Sequence, residues 1–164
     1  RLSLWRKHLM PNDIQSFLQP QNVIVGLDVG CKRSALKKLA CHASKTMGLG
    51  EEALYDALME RERLGTTGIG LGVAVPHART DLSKMQGILA RLSTPIDFDS
   101  IDARPVDLVF LLLAPEAASA EHLKALSRVA RLVREPQTQE AMRGAADAAA
   151  LYAIAIGDKD AEAA

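Results

Sequence analysis

The sequence has few of the residues that build stacking or strongly charged binding surfaces. Phenylalanine, tyrosine and tryptophan together make up 4% of its 164 residues, and its 20 basic residues are balanced by 20 acidic ones. Nucleic-acid-binding domains normally carry a basic excess or a basic stripe. The composition therefore argues against a nucleic-acid partner and against sites that stack bases or sugars on aromatic rings.

Long apolar runs and paired cysteines are also missing. The longest apolar run, Leu108 to Ala114, is far shorter than the ~20 residues that a membrane-spanning helix needs. Cys31 and Cys41 match no zinc or redox spacing, so we expect free thiols in a reducing cytoplasm. Residues 1–8 lack the apolar core of a signal peptide. The remaining composition is typical of one globular domain.

Hydrophobic periodicity and the positions of glycine and proline predict alternating strands and helices. Residues 1–22 are expected to be irregular or marginally helical, and residues 157–164 a polar, frayed tail. Strands are predicted at 23–29, 72–75, 87–92 and 106–113, with a connecting loop at 95–102. The strand at 106–113 is almost continuously apolar, as is typical of a strand covered on both faces.

Helices are predicted from about Ser34 to 47, with Ser34 as the N-cap, and then at 51–64, from 118–120 to 134, at 138–143 and at 147–156. Gly48 and Gly65 are expected to end the first two. The apolar side of the long helix is assigned to Leu123, Leu126, Val129, Ala130 and Val133.

The segment TTGIGLGVAVPH, residues 66–77, combines a flexible approach with a stiff end. Its glycines at alternate positions relax the backbone. Val75 precedes a proline and is pushed towards extended geometry, and Pro76 has a fixed φ. His77 is therefore expected at the end of a strand, where one imidazole points in a fixed direction.

Helical geometry separates two neighbouring arginines in the predicted helix 51–64. At 100° per residue, Arg61 lies in the apolar sector with Glu62 at its flank, whereas Arg63 lies on the solvated side. An inward guanidinium needs an anionic partner or a vacant anion site. The simplest interpretation is an ion pair of Arg61 with Glu62 or with another carboxylate.

His122 lies in the first turn of the predicted long helix, on its inward side. The helix dipole there disfavours the imidazolium and favours bound anions. Together, His77, Arg61 and His122 could form a site for a transferable phosphoryl group. A neutral imidazole would attack phosphorus and a guanidinium would stabilise the transferring oxygens.

Other interpretations of these and neighbouring residues stay open or are weaker. A zinc site of His77, His122 and an acid would make a metal-dependent hydrolase, and a purely structural binding module is also possible. The glycine run lacks the lysine of a Walker loop and leads into a strand, whereas nucleotide-binding motifs open a helix. Asp97, Asp99 and Asp102 are expected to lie in a solvated loop. His8 and His42 are expected to lie at the surface without partners.

Several ordered segments resemble the mannitol/fructose-type EIIA domains of the bacterial phosphotransferase system, and most closely their nitrogen-regulatory branch. These segments are ERERLGTTGIG at 60–70, VAVPH at 73–77, PVDLVFLL at 105–112 and HL at 122–123. The resemblance covers residues 23–156 and implies a single α/β domain, a mixed β-sheet flanked by helices on both sides. Ala78 stands where the family is expected to have a glycine after the histidine. The resemblance therefore does not define the shape of the loop at this position, but the chemistry it implies is unaffected.

The resemblance also implies roles for the candidate residues. His77 would accept a phosphoryl group from a phosphohistidine on a small HPr-like carrier protein. Arg61 matches the active-site arginine of the family and His122 its second active-site histidine. No metal or other cofactor is implied.

Two roles are compatible with this chemistry. One is a sugar-specific EIIA that passes its phosphoryl group to a permease component. The other is a regulatory phosphocarrier of a nitrogen-type system, whose phosphorylation state controls which target proteins it binds. Because the sequence carries neither a permease segment nor a fused carrier domain, we expect the regulatory role, in the cytoplasm and without membrane insertion.

Overall fold

A computed structural model describes residues 14–117 and 119–157. A short 3-10 helix, Ile14–Ser16, comes first in these ranges. The six strands are β1 (Leu18–Leu27), β2 (Gly68–Gly70), β3 (Val73–Ala74), β4 (His77–Thr80), β5 (Gln86–Ile96) and β6 (Val106–Pro115). The five helices are α1 (Lys32–Met47), α2 (Glu51–Leu64), α3 (Ser119–Arg134), α4 (Pro136–Gly144) and α5 (Ala148–Ala155).

The strands form one mixed sheet in the order β1-β5-β6-β3-β2, with β4 also paired to β6. The β1–β5, β3–β6 and β4–β6 pairs are parallel, whereas β5–β6 and β2–β3 are antiparallel. Val73 is the partner of Leu108 and His77 the partner of Leu112 on β6. Because β5 occupies the other side of β6, the chain from β3 to β4 follows a single side of this central strand.

Alternate residues of β6 enter two different hydrophobic cores. Val109, Leu111 and Leu113 pack in the core that contains the inward residues of α1 and α2. The second core contains residues of α3, α4 and α5 and the side chains of Leu108, Phe110 and Leu112. All of these β6 side chains are fully buried. The predicted mixed sheet, with helices on both sides and an apolar central strand, is confirmed.

The two ends of the sheet differ from the prediction. Strand β1 begins at Leu18, so residues 18–22, predicted to be irregular, belong to the sheet. Pro20 and its polar neighbours hid this part of the strand, since proline is tolerated only at edges and bulges. The register does shift between Leu18 and Val23. Strand β5 likewise includes residues 95 and 96, which were assigned to the loop, beyond another register shift.

The N-cap of helix α1 lies three residues earlier than predicted. Cys31 is its N-cap, and Ser34, predicted to be the cap, lies in the first turn. The Ser34 hydroxyl oxygen accepts a hydrogen bond from Cys31 N at 3.2 Å, so serine caps from inside the helix. Gly48 ends α1 with a left-handed φ of 73°, and Gly65 ends α2, both as predicted.

The inward face of α3 agrees with the prediction at Val129 and Val133 but is displaced by one residue at its N-terminal end. Leu123 is 66% exposed, whereas His122, Ala125, Val129 and Val133 are buried. These four residues follow one helical stripe, and a position next to it in sequence is rotated about 100° away. The prediction was therefore wrong for Leu123 and correct for His122.

The remaining elements complete the comparison. Helices α4 and α5 match the two predicted C-terminal helices, and Asp147 caps α5 by accepting a hydrogen bond from Ala150 N at 2.9 Å. Residues 1–13, with His8, and residues 158–164, which are the predicted tail apart from Gly157, lie outside the described residues. No helix in the described ranges is both long and apolar enough to cross a bilayer.

Candidate active site

His77 is the first residue of β4, and not the last residue of the preceding strand as predicted. Leu112 N donates a hydrogen bond to Pro76 O at 2.9 Å, which fixes the backbone next to His77 against the central strand. The side chain of His77 is half-buried. The imidazole thus projects from a backbone that is hydrogen-bonded to the central strand at Pro76.

The partners of the two ring nitrogens define the tautomer of His77. Nδ1 lies 3.1 Å from Val75 O, and Nε2 accepts a hydrogen bond from Arg61 Nε at 3.1 Å. A carbonyl oxygen can only accept and a guanidinium can only donate. Nδ1 therefore carries the proton, and the lone pair of the neutral ring is on Nε2.

Arg61 points inward, as the helical wheel predicts. It is half-buried, whereas Arg63 is exposed and forms a surface ion pair with Glu60 at 3.1 Å. Besides His77, Arg61 contacts Gly65 O, to which Nη1 donates at 2.9 Å. The predicted ion pair with Glu62 is wrong. Within the described ranges, no carboxylate lies within ion-pair distance of Arg61.

His122 approaches His77 from the other side of the sheet. The two rings are 5.4 Å apart between centroids and inclined at 60°. His122 is 6% exposed, and its buried Nδ1 has no hydrogen-bond partner among the residues described. The structure therefore brings the three predicted site residues together from three separate elements, α2, β4 and α3.

Both histidines are held towards their neutral form. Burial lowers the pKa of His77, and Arg61 adds to this, whereas the Val75 carbonyl and Glu62 act in the opposite direction. Burial also lowers the pKa of His122, with His77 and Arg79 contributing in the same direction. A neutral imidazole has an unprotonated nitrogen, which can act as a nucleophile at neutral pH.

The sequence analysis did not find the contacts around Glu62. Glu62 Oε2 pairs with Lys32 Nζ at 2.8 Å, and both carboxylate oxygens lie 3.2 Å from Thr67 N. Lys32 also reaches Asp99 at 3.2 Å and lies 4.9 Å from the centre of the Phe98 ring. Thirty positions separate Lys32 from Glu62, so no local pattern could have paired them.

His42 also has partners that the sequence did not indicate. Its Nε2 lies 3.1 Å from Gln21 O and 3.1 Å from Asn22 Oδ1. These contacts connect α1 to the part of β1 that was predicted to be irregular. His42 therefore serves in the packing of β1, and the expectation that it lacks partners was wrong.

The acidic loop residues stabilise turns. Asp97 Oδ1 accepts a hydrogen bond from Asp99 N, and Asp102 accepts from Leu71 N and Arg104 N. All three aspartates are exposed. Within residues 14–117 and 119–157, no three His, Cys, Asp or Glu side chains are grouped so that they could hold a metal ion. The hydrolase hypothesis thus finds no ligand set there.

Comparison of the sequence with models of known protein families identifies the family. The model of the family "Phosphoenolpyruvate-dependent sugar phosphotransferase system, EIIA 2" matches residues 16–156. The chain belongs to this family. The match begins at the last residue of the 3-10 helix and ends just after α5, so it includes all six strands and all five α-helices described above.

Relatives within the family carry the name nitrogen regulatory protein. One from Bradyrhizobium diazoefficiens is 47% identical over 142 residues, which cover 86% of this chain and 93% of that protein. One from Pseudomonas aeruginosa is 35% identical over 146 residues, covering 87% and 94%. The crystal structure of IIA-Ntr from Neisseria meningitidis superposes with a TM-score of 0.81 at 32% identity, covering 86% and 97%. The resemblance to the nitrogen-regulatory branch is confirmed.

Proposed function

We propose that the chain is a regulatory phosphocarrier in which His77 accepts a phosphoryl group from a phosphohistidine on an HPr-like carrier protein. One observation carries the proposal. The Nε2 lone pair of a half-buried, neutral imidazole faces a guanidinium that has no carboxylate partner in the described ranges. Such a guanidinium can take an incoming anion without first giving up an ion pair.

The proposed step exchanges one phosphorus–nitrogen bond for another. The lone pair of His77 Nε2 bonds to phosphorus while the bond from phosphorus to the donor imidazole breaks, and the donor ring leaves with that electron pair. The ring of His77 becomes positively charged, and Val75 O, which accepts the hydrogen bond from Nδ1, stabilises this charge. Because bonds of the same type break and form, positioning and charge stabilisation can supply the catalysis.

In this proposal, Arg61 and His122 contact the phosphoryl group during and after its transfer. Arg61 exchanges its hydrogen bond with Nε2 for one with a phosphoryl oxygen. A charge pair of this kind at about 4 Å and an effective dielectric of about 20 is worth on the order of 4 kcal/mol before desolvation. His122 lies next to the acceptor ring and would hydrogen-bond the bound group. A nearby dianion raises a histidine pKa, so His122 would take up a proton once His77 is phosphorylated.

The surroundings of the site suit control of protein binding. Leu64, three positions after Arg61, is 79% exposed, and Leu123, which follows His122, is 66% exposed. A phosphoryl group brings nearly two negative charges, which would change the character of an apolar contact surface. The names of the relatives, nitrogen regulatory proteins, support a regulatory role within a nitrogen-type system.

The proposal is tested by incubating the protein with a phosphorylated HPr-like carrier and assaying for an acid-labile, alkali-stable phosphoryl adduct. The wild-type protein and the control His42→Ala should acquire the adduct, whereas His77→Ala should not. An adduct on His77→Ala would refute the assignment. The regulatory role predicts in addition that the phosphorylated protein keeps its phosphoryl group when mixed with sugar-specific EIIB components, and rapid transfer to them would instead indicate sugar delivery.

A further inference from the structure

Glu62 is a buried carboxylate that turns away from its neighbour Arg61. Its side chain is 4% exposed and pairs with Lys32, whose side chain is 16% exposed. Thr67 donates to it twice, from its backbone N–H and from its hydroxyl group. A carboxylate buried at this depth is strongly unfavourable unless it is paired and hydrogen-bonded. Lys32 and Thr67 meet that requirement and leave the guanidinium of Arg61 to His77.

A series of hydrogen bonds runs from Glu62 to the imidazole of His77. Thr67 donates its N–H to Glu62, and its carbonyl oxygen accepts from Val75 N at 2.9 Å. The carbonyl oxygen of Val75 in turn accepts from His77 Nδ1 at 3.1 Å. In both Thr67 and Val75, the N–H points along the series towards Glu62 and the carbonyl oxygen towards His77. The series ends at Nδ1 of His77. Because Nδ1 carries the proton of the neutral ring, Nε2 is unprotonated.

We propose that Glu62, with Lys32 as its counter-ion, is a positioning residue for His77. By holding the backbone of Thr67 and Val75, it keeps the imidazole in the tautomer with the proton on Nδ1 and presents Nε2 for transfer. The effect on transfer rests on the function proposed above. The orientation and tautomer of the ring are properties of the unphosphorylated protein and can be measured without any transfer.

The charges around His77 give this inference a second readout. Among residues 14–117 and 119–157, the charged and titratable groups that act on His77 are Arg61 and Glu62 from α2 and His122 from α3. Burial and Arg61 lower the pKa of His77, and Glu62 raises it. Burial alone would lower the pKa of Lys32, but its contacts with Glu62 and Asp99 outweigh this and raise it. Removing Glu62 and removing Lys32 should therefore shift the pKa of His77 in opposite directions.

The test is NMR of protein labelled with nitrogen-15 in its histidines, which reports the tautomer and the pKa of His77 in the same titration. The variants are Glu62→Ala, Glu62→Gln and Lys32→Met, with Glu60→Gln as the matched control, since Glu60 is exposed and pairs with Arg63. The double variant Lys32→Met/Glu62→Gln leaves neither partner with an unpaired charge. It replaces the single variants if they do not fold. Acceptance rates from the phosphorylated carrier are measured in parallel.

Glu62→Ala should mix the two tautomers and slow acceptance about tenfold or more, because small misplacements of reacting groups are costly. Glu62→Gln, which keeps an acceptor oxygen for Thr67, should retain the tautomer but lower the pKa of His77. Lys32→Met should raise that pKa, and Glu60→Gln should change nothing. If the single variants do not fold, the double variant should still lower the pKa of His77, because Glu62 acts on His77 directly whereas Lys32 acts mainly through its contact with Glu62.

A wild-type tautomer, pKa and rate in Glu62→Ala, or a wild-type pKa in the double variant, would overturn the inference. If the ring responds as described but the wild-type protein accepts no phosphoryl group, the positioning role stands and the proposed function fails.

Discussion

At the residue scale, the site depends on how Arg61 is shared. Its guanidinium contacts His77 Nε2 and Gly65 O, while the adjacent carboxylate of Glu62 is taken by Lys32 and Thr67. The local helical period was enough to predict that Arg61 points inward and Arg63 outward. It could not predict that Arg61 contacts His77 and not Glu62, because Glu62 pairs with Lys32, which lies in a different helix.

Substituting each of the two arginines of α2 in turn distinguishes the residue in the site, Arg61, from the residue on the surface, Arg63. Arg61→Ala should slow phosphoryl acceptance on the order of 100-fold, the usual cost of removing one group that stabilises developing negative charge. Arg63→Ala should leave the rate unchanged, since its exposed ion pair with Glu60 contributes little. Rapid-quench kinetics with the phosphorylated carrier measures both. Equal effects of the two substitutions would contradict the orientation of α2.

At the element scale, long and strongly patterned segments were predictable, and short ones were not. The apolar run of β6 and the periodic helices carry their own signal. Strands β2, β3 and β4 are two to four residues long and depend on their neighbours: β6 pairs with β3 and with β4, and β3 pairs with β2. This is why the sequence analysis expected a strand next to His77 but placed His77 at the end of that strand and not at its beginning.

Gly68 in β2 tests the packing of this region against the 97–105 loop. A Cβ at Gly68 would overlap the hydroxyl of Ser100 and lie 3.2 Å from its Cα, whereas a Cβ at Gly144, the end of α4, has nothing within 4 Å. Gly68→Ala should therefore lower the free energy of unfolding by about 1–3 kcal/mol, as overpacking does. Gly144→Ala should leave it unchanged or raise it by up to about 1 kcal/mol. Urea unfolding distinguishes the two, and equal stabilities would refute the close packing of Ser100 on β2.

At the scale of the whole molecule, the site combines one residue from each helical layer with one from the sheet. Helix α2 belongs to one hydrophobic core and α3 to the other, and β4 carries His77 between them. The apolar pattern of β6 allowed both layers to be predicted. A shared site of residues 61, 77 and 122 could be proposed from their inward positions and from the resemblance to the family. Their proximity could not be derived from the sequence, because no spacing states that three distant positions meet.

Burial of two neutral histidines links the stability of the molecule to pH. The pKa values of His77 and His122 are below the ordinary value of about 6.5. Below about pH 6.5 the unfolded chain therefore binds protons that the folded chain does not, and the free energy of unfolding falls as the pH falls. His122→Gln should reduce this dependence in urea unfolding between about pH 7.5 and 5, above the range in which carboxylates dominate. An unchanged slope would contradict the buried, neutral state of His122.

The central claim is that Nε2 of His77 is the nitrogen that receives phosphorus. The most direct measurement is nitrogen-15 and phosphorus-31 NMR of histidine-labelled protein after incubation with a phosphorylated HPr-like carrier. The account predicts one phosphohistidine, with phosphorus bonded to Nε2 of His77 and Nδ1 still hydrogen-bonded to Val75 O. A phosphoryl group on Nδ1 or on another residue, or none at all, would contradict it.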